Sequence, residues 1–268
     1  MLKEMFLYLV TPCQPRFRKL GYLTELIAIE AKYVRVKKHW QPHLDQSRQA
    51  ITEASERVAQ HRKVIVLGSG MLLDIPLEIL SARFNEVVLV DVAHLNRVRR
   101  QTRQFSNVKL AEADITDMTD AILAYQMGDA LPTSTLNIPG YDEHTDLVIS
   151  LNLFSQLPVT PRIWLDRKFN IEHETFYRWS AHISEQHLSA LTQLDCSVLV
   201  MGDMSHTCLQ HEVEINRDDF MVDLHLPLPD RSWSWPVDPL GELPDKLVID
   251  AQVGAWFDWQ KKDYPQTE

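Results

Sequence analysis

Four short stretches hold the residues that could do chemistry. Gly68, Ser69 and Gly70 follow the apolar run VIVL, while Asp91, Asp114 and Asn152 close later apolar runs in EVVLVDV, VKLAEAD and DLVISLN. The chain has only eight glycines, so two of them one residue apart carry weight. Glycine lets a backbone turn sharply and approach a ligand with no Cβ in the way. Amides at such a turn, with a helix N-terminus following, can face a carboxylate or phosphate. A carboxylate at Asp91, on the strand after the glycine turn, suits the paired hydroxyls of a ribose. Asn152 can orient a substrate by hydrogen bonds but has no basic group.

These residues converge only if the elements bring the strand ends side by side. Strands are predicted at 63–68, 86–92, 108–114, 146–152 and 195–203, with helices at 74–83, 93–104, 116–127 and 175–194. KVIVLG lacks polar alternation, which marks a strand buried on both faces. Regular strand–helix alternation gives a doubly wound sheet whose ligands lie beyond the C-terminal strand ends. Residues 219–229 and 246–259 then read as consecutive strands with no helix between them, hence an antiparallel pair. In the front part, Leu26, Ile29, Tyr33, Val36 and Trp40 line one face of a helix over 17–41, closed by Pro42, and a second helix follows at 43–61. The expected fold is α/β: a doubly wound, mostly parallel seven-stranded sheet with a terminal antiparallel strand pair, plus N-terminal helices. Residues 1–61 read as a helical extension packing on a main domain over 62–268.

In order and spacing, the strand ends over about residues 60–260 resemble the class I S-adenosylmethionine-dependent methyltransferase family. That family's first motif is an acid followed by G-x-G-x-G. Here Val66 stands at the acid and Leu72 at the third glycine. The resemblance implies S-adenosyl-L-methionine as cofactor, held by Gly68, Ser69 and Gly70 on the first loop and by Asp91 and Val92 after the second strand. It places Asp114 and the Ile115 amide at the adenine, and Leu151 and Asn152 beside the methyl group. Leu72 is expected to point into the helix–sheet core, leaving the loop able to bind. Asp74 reads either as a replacement for the missing acid or, by preference, as a helix-terminus charge. The Asn-Pro-Pro-Tyr signature of amide and adenine N-methylation is missing, as is a Pro-Cys nucleophile. The implied activity is methyl transfer to a small molecule. Alternatives are a catalytically silent methyltransferase fold, an RNA methyltransferase, and a nicotinamide-dependent oxidoreductase, against which the N-terminal helices and terminal pair argue.

Bulk properties narrow the partners. The net charge is −10, yet residues 1–110 carry 18 of the 27 basic side chains and only 10 of the 37 acidic ones. An acidic whole disfavours general nucleic-acid binding, while a basic front half leaves room for a local anionic contact such as RNA. Arg97, Arg99, Arg100 and Arg103 read as a solvated helix face. Three cysteines without C-x-x-C spacing argue against disulfides and thiolate zinc. His206, Cys208 and His211 lie close in sequence, but a polar loop at the substrate mouth is the simpler reading, so no metal is assigned. Trp233, Trp235, Trp256 and Trp259 are expected to pack on the terminal pair. No apolar run reaches membrane-spanning length. MFLYLV near the start is too short for a secretory core and is expected to be a buried segment of a cytoplasmic protein. The oligomeric state is left open.

Overall fold

The computed structural model describes residues 2–242 and 246–265. Three helices open the chain: α1 (Leu2–Val10), α2 (Pro15–Leu20) and α3 (Tyr22–Arg57). The sheet follows, built from β1 (Lys63–Leu67), β2 (Glu86–Asp91), β3 (Val108–Glu112), β4 (Thr145–Leu151) and β5 (Ser197–Gln210). Between these strands run α4 (Leu77–Arg83), α5 (Asn96–Thr102), α6 (Thr119–Ala124), α7 (Val159–Asp166) and α8 (His173–Leu191). The chain ends with β6 (Val213–Asp219), α9 (Phe220–Asp223), β7 (Arg231–Asp238) and β8 (Val248–Trp256).

The sheet order is β3-β2-β1-β4-β5-β8-β7, with β6 paired to β5 off this path. β1 pairs in parallel with β2 and β4, β2 with β3, and β4 with β5. β8 is antiparallel to both β5 and β7. All five residues of β1 are buried, as the unbroken KVIVL requires. One face of the sheet packs Ile51, Leu77, Leu80 and Val98 from α3, α4 and α5, and the other packs Leu188 and Leu191 of α8.

Four expectations change. Pro42 lies inside a continuous 36-residue α3 and does not end it. Proline forfeits one intrahelical hydrogen bond, but Val36, Trp40, His43 and Leu44 on either side of it are buried, and this burial outweighs the loss. The start of the chain is a helix, but none of its residues is buried; Leu2, Phe6 and Leu9 face outward, and only Leu7 and Tyr8 pack inward. Residues 219–229 form the end of β6, α9 and an irregular segment, so the terminal antiparallel pair is β7–β8. β5 continues to Gln210, and its hairpin with β6 adds an eighth strand to the seven-strand path. The tryptophans form two clusters. Trp256 meets Trp259 and Phe154 edge-on, whereas Trp233 and Trp235 hold His43 and Trp40 of α3.

Candidate functional site

β1, β2, β3 and β4 end side by side, and their terminal loops make the candidate site. Gly68 has φ +78°, and a Cβ there would lie 2.7 Å from the Leu151 oxygen and 2.9 Å from Leu153. Its glycine is therefore required by the end of β4. Gly70, at φ +48°, faces open space, the nearest atom to a Cβ being 4.0 Å away. Leu72 stands at φ +59° with its side chain buried in the core between sheet and helices, and Met71 is buried beneath α3. The third-glycine position thus keeps the left-handed backbone that glycine favours. The apolar contacts of Leu72 offset that strain.

The loop amides do not face outward. Gly68 N and Ser69 N both donate to the Val90 oxygen, at 3.0 and 3.1 Å. Gly70 N donates to Asp91 Oδ2 at 2.7 Å, and Val92 N to Asp91 Oδ1 at 2.8 Å. No helix N-terminus replaces them, because α4 starts only at Leu77. Pro76 disfavours the helical region at Ile75, and this delays the start expected at residue 74. Asp74 therefore sits in the loop, away from any helix end. Burial raises its carboxyl to about 6. Its Oδ2 lies 3.4 Å from Asn152 Nδ2.

Asn152 follows β4 directly at φ +52°, a region asparagine tolerates better than most residues. Its Oδ1 is buried without a partner among the described residues, as are Ser69 Oγ and His94 Nδ1. Burial lowers the His94 pKa and keeps the ring neutral, and the same burial raises the Asp91 carboxyl beside it. Asp114 is engaged more completely. Oδ1 accepts from Thr116 N and Oγ1, and Oδ2 from Thr119 N and Oγ1. Its backbone neighbour Ile115 and the β4 residue Leu151 are both buried.

Two groups at this end are not marked as site residues by the local sequence pattern. Tyr22, the first residue of α3, reaches Thr119, and burial with the carboxylates of Asp114 and Asp91 pushes its hydroxyl pKa far up. Asp203 and His206 on β5 pair at 3.0 Å. Helical spacing in residues 17–41 pointed to an apolar face and gave no reason to select Tyr22. The His206 pairing depends on the length of β5, which was underestimated. His206, Cys208 and His211 do not converge; among the described residues no three metal-ligating side chains gather. Arg99 pairs with Glu112, while Arg100 and Arg103 are exposed.

The last strand enters antiparallel between β5 and β7, the feature that separates this sheet from a nicotinamide-binding one. This is the Rossmann-like methyltransferase fold. No protein-family model matches the methyltransferase-fold chain, and no curated protein matches it. Among solved structures, it is similar to Burkholderia thailandensis 1,6-didemethyltoxoflavin-N1-methyltransferase with bound 1,6-didemethyltoxoflavin and S-adenosylhomocysteine. That likeness has 12% identity, covers 86% of this chain and 88% of the other, and has a TM-score of 0.35. A DhpI–SAH complex is 11% identical, with 85% and 93% covered and a TM-score of 0.35. A complex of the Haloferax volcanii Trm112 methyltransferase activator with the putative methyltransferase is 12% identical, covers 65% of this chain at a TM-score of 0.31, and is itself spanned over only 57% of its length. No helix among the described residues is long and apolar enough to cross a membrane.

Proposed function

We propose that this chain is an S-adenosylmethionine-dependent methyltransferase acting on a small molecule. One observation carries the reading: the strand ends present several hydrogen-bond acceptors and keep their loop amides engaged. Asp74 and Asp91 offer carboxylates, and Asn152 Oδ1 and His94 Nδ1 are buried acceptors without partners among the described residues. The first three loop amides are already used. A pyrophosphate needs donors and finds few here. S-adenosylmethionine carries no phosphate and brings ribose hydroxyls and an α-ammonium, both donors.

In this reading Asp91 holds the ribose and Asp74 faces the α-ammonium, in place of the acid missing at Val66. Ser69, Gly70, Val92, Leu151 and Asn152 line the middle. Gly68 shapes the turn, and Ile115 lies at the adenine end. Asp114 orders that loop, because its oxygens are filled by the two threonines. The extension over 1–61 covers the cofactor end of the domain over 62–268, with Tyr22 as the covering residue. When bound, the cofactor supplies a methyl group on a sulfonium, already reactive, so the chain contributes mainly proximity and orientation.

The acidic balance of the chain is in keeping with a small acceptor. A second reading, a silent fold, is favoured by Tyr22 and by the saturated Asp114 at the adenine end. Calorimetric titration with S-adenosylmethionine, S-adenosylhomocysteine and NAD separates the readings. We expect saturable binding of the first two and none of NAD. Preferential binding of NAD would overturn the cofactor assignment, and no binding of any would favour the silent fold.

A further inference from the structure

The methyl acceptor's proton still needs a destination, since Asn152 is no base. Met201 of β5 is the partner of Leu151, the last residue of β4, and β5 runs on to Gln210. From Ser205 onward β6 pairs with this continuation, so the arm stands beyond the end of β4. At its root Asp203 is 1% exposed. Its Oδ2 accepts from Ser155 Oγ at 2.9 Å and lies 3.0 Å from His206 Nε2, while Oδ1 has no partner among the described residues. Ser155 and Gln156, which also reaches Oδ2, belong to the loop that Asn152 opens. Ser155 and Gln156 therefore tie the Asp203–His206 pair to the loop that Asn152 opens. With Nε2–H given to Asp203, the imidazole keeps its lone pair on Nδ1, which takes no hydrogen bond from the described residues.

We propose that His206 Nδ1 accepts the proton of the methyl acceptor, with Asp203 as its positioning residue, and that the acceptor is a hydroxyl compound of the phenol type. This rests on the methyltransferase reading above. The acceptor oxygen uses a lone pair to form the new bond to the methyl carbon. The carbon–sulfur bond breaks with its electron pair staying on sulfur, and the O–H proton passes to Nδ1. The imidazolium that results lies against the Asp203 carboxylate, and the proton then leaves to solvent along the partly exposed ring.

The surroundings fit that role. Burial works against a charged His206, but the Asp203 hydrogen bond and the nearby Asp218 prevail and hold its pKa above the usual 6.5. Asp218 is the cross-strand partner on β6, Ala251 on β8 is apolar, Phe220 presents its ring at 5.4 Å, and Ser155 and Gln156 are neutral. Below this raised pKa His206 is already protonated and cannot accept, so turnover must fall on the acid side.

The test uses the full chain with S-adenosylmethionine and two probes: catechol, and thiophenol, which is largely ionised at about pH 8. His206→Gln should lower catechol methylation by about a hundredfold or more and remove the acid limb, while changing thiophenol methylation by less than about threefold. Asp203→Asn should move the limb to lower pH. Imidazole NMR gives a readout without turnover: the His206 midpoint should lie above 6.5 and drop in Asp203→Asn, with circular dichroism unchanged. Cofactor binding without catechol methylation, equal losses for both probes in His206→Gln, or a midpoint indifferent to Asp203→Asn would each overturn the inference and leave the cofactor reading standing. Failure to bind the cofactor at all would sink that reading first.

Discussion

The two ends of the sheet differ in a way that cavity size alone misrepresents. At the N-terminal ends of the strands lies a groove of about 740 Å³ lined by Arg62, Asp142, Asp146 and Asp195 among others. Its main charges are matched. Arg62 makes a two-pronged contact with Asp146, and Lys63 pairs with Asp142 at 2.5 Å. The Lys63 hydrogen bond lowers the Asp142 carboxyl; Asp146 is pushed up by burial but pulled down further by Arg62. The opposite end buries Ser69 Oγ, His94 Nδ1, Asn152 Oδ1 and Asp203 Oδ1 without partners among the described residues. Buried polar groups are almost always satisfied. Under the proposed function, these unpaired atoms are where the ligand's hydrogen bonds go.

The largest expected effect tests whether the glycine loop is anchored by its apolar half. Leu72→Ala should cost about 2–5 kcal/mol of stability by opening a cavity among Val64, Val66 and Leu77. Leu72→Gly should cost about 1 kcal/mol less than Leu72→Ala, since glycine alone adopts φ +59° without strain. Chemical denaturation of both variants checks the order. A large gain in cofactor affinity at Leu72→Gly would show that the leucine blocks a pocket.

Acidity should set the two ends against each other. Asp74 is raised to about 6, above the unfolded value of about 3.9. The folded state therefore binds more protons between those values, and stability falls by about 1.4 kcal/mol per pH unit as pH rises through that window. Asp146 is depressed, so its contribution is present above the unfolded pKa and is lost as pH falls through the folded one. Asp74→Asn should raise the melting temperature at neutral pH, and Asp146→Asn should lower it. The same sign for both would remove the contrast.

Much of this was legible along the chain, for identifiable reasons. The five strands announced themselves because a parallel sheet buries both faces, and EVVLVD or KVIVL admits little else. The place of Asp91 at the end of β2 was legible because it closes such a run after a glycine turn. What failed to show was long-range. Trp40 and His43 keep α3 whole across Pro42 through contacts with Trp233 and Trp235, some 190 residues away. Asp203 and His206 meet because Met204 falls at a register shift in an unexpectedly long β5. Tyr22 reaches Thr119 only through folding.

A smaller effect concerns Asp91 itself. It accepts two amides at 2.7 and 2.8 Å and, in the proposed complex, the ribose as well. Charge-assisted hydrogen bonds are worth about 1.5–3 kcal/mol each. Asp91→Ala should therefore weaken S-adenosylhomocysteine binding at least about tenfold, and Asp146→Ala at the other end should leave it unchanged. Equal effects from both, measured by calorimetry, would mean that the ligand does not distinguish the two ends.

The smallest expected change in stability separates the two glycines. A methyl group at Gly68 collides with the Leu151 oxygen and Leu153, so Gly68→Ala must displace the end of β4. At Gly70 a methyl group meets nothing within 4.0 Å, and only the φ of +48° resists it. That strain is worth about 1–2 kcal/mol. Gly70→Ala should thus melt only slightly below the parent protein, with Gly68→Ala melting lower than Gly70→Ala. If the open space over Gly70 is where the cofactor lies, the ranking reverses for binding in proportion to stability. Gly70→Ala would lose most of its affinity for S-adenosylhomocysteine while staying folded, because the methyl group occupies room the ligand needs. Parental affinity in Gly70→Ala would place the ligand elsewhere and would leave the open face of that glycine without a function.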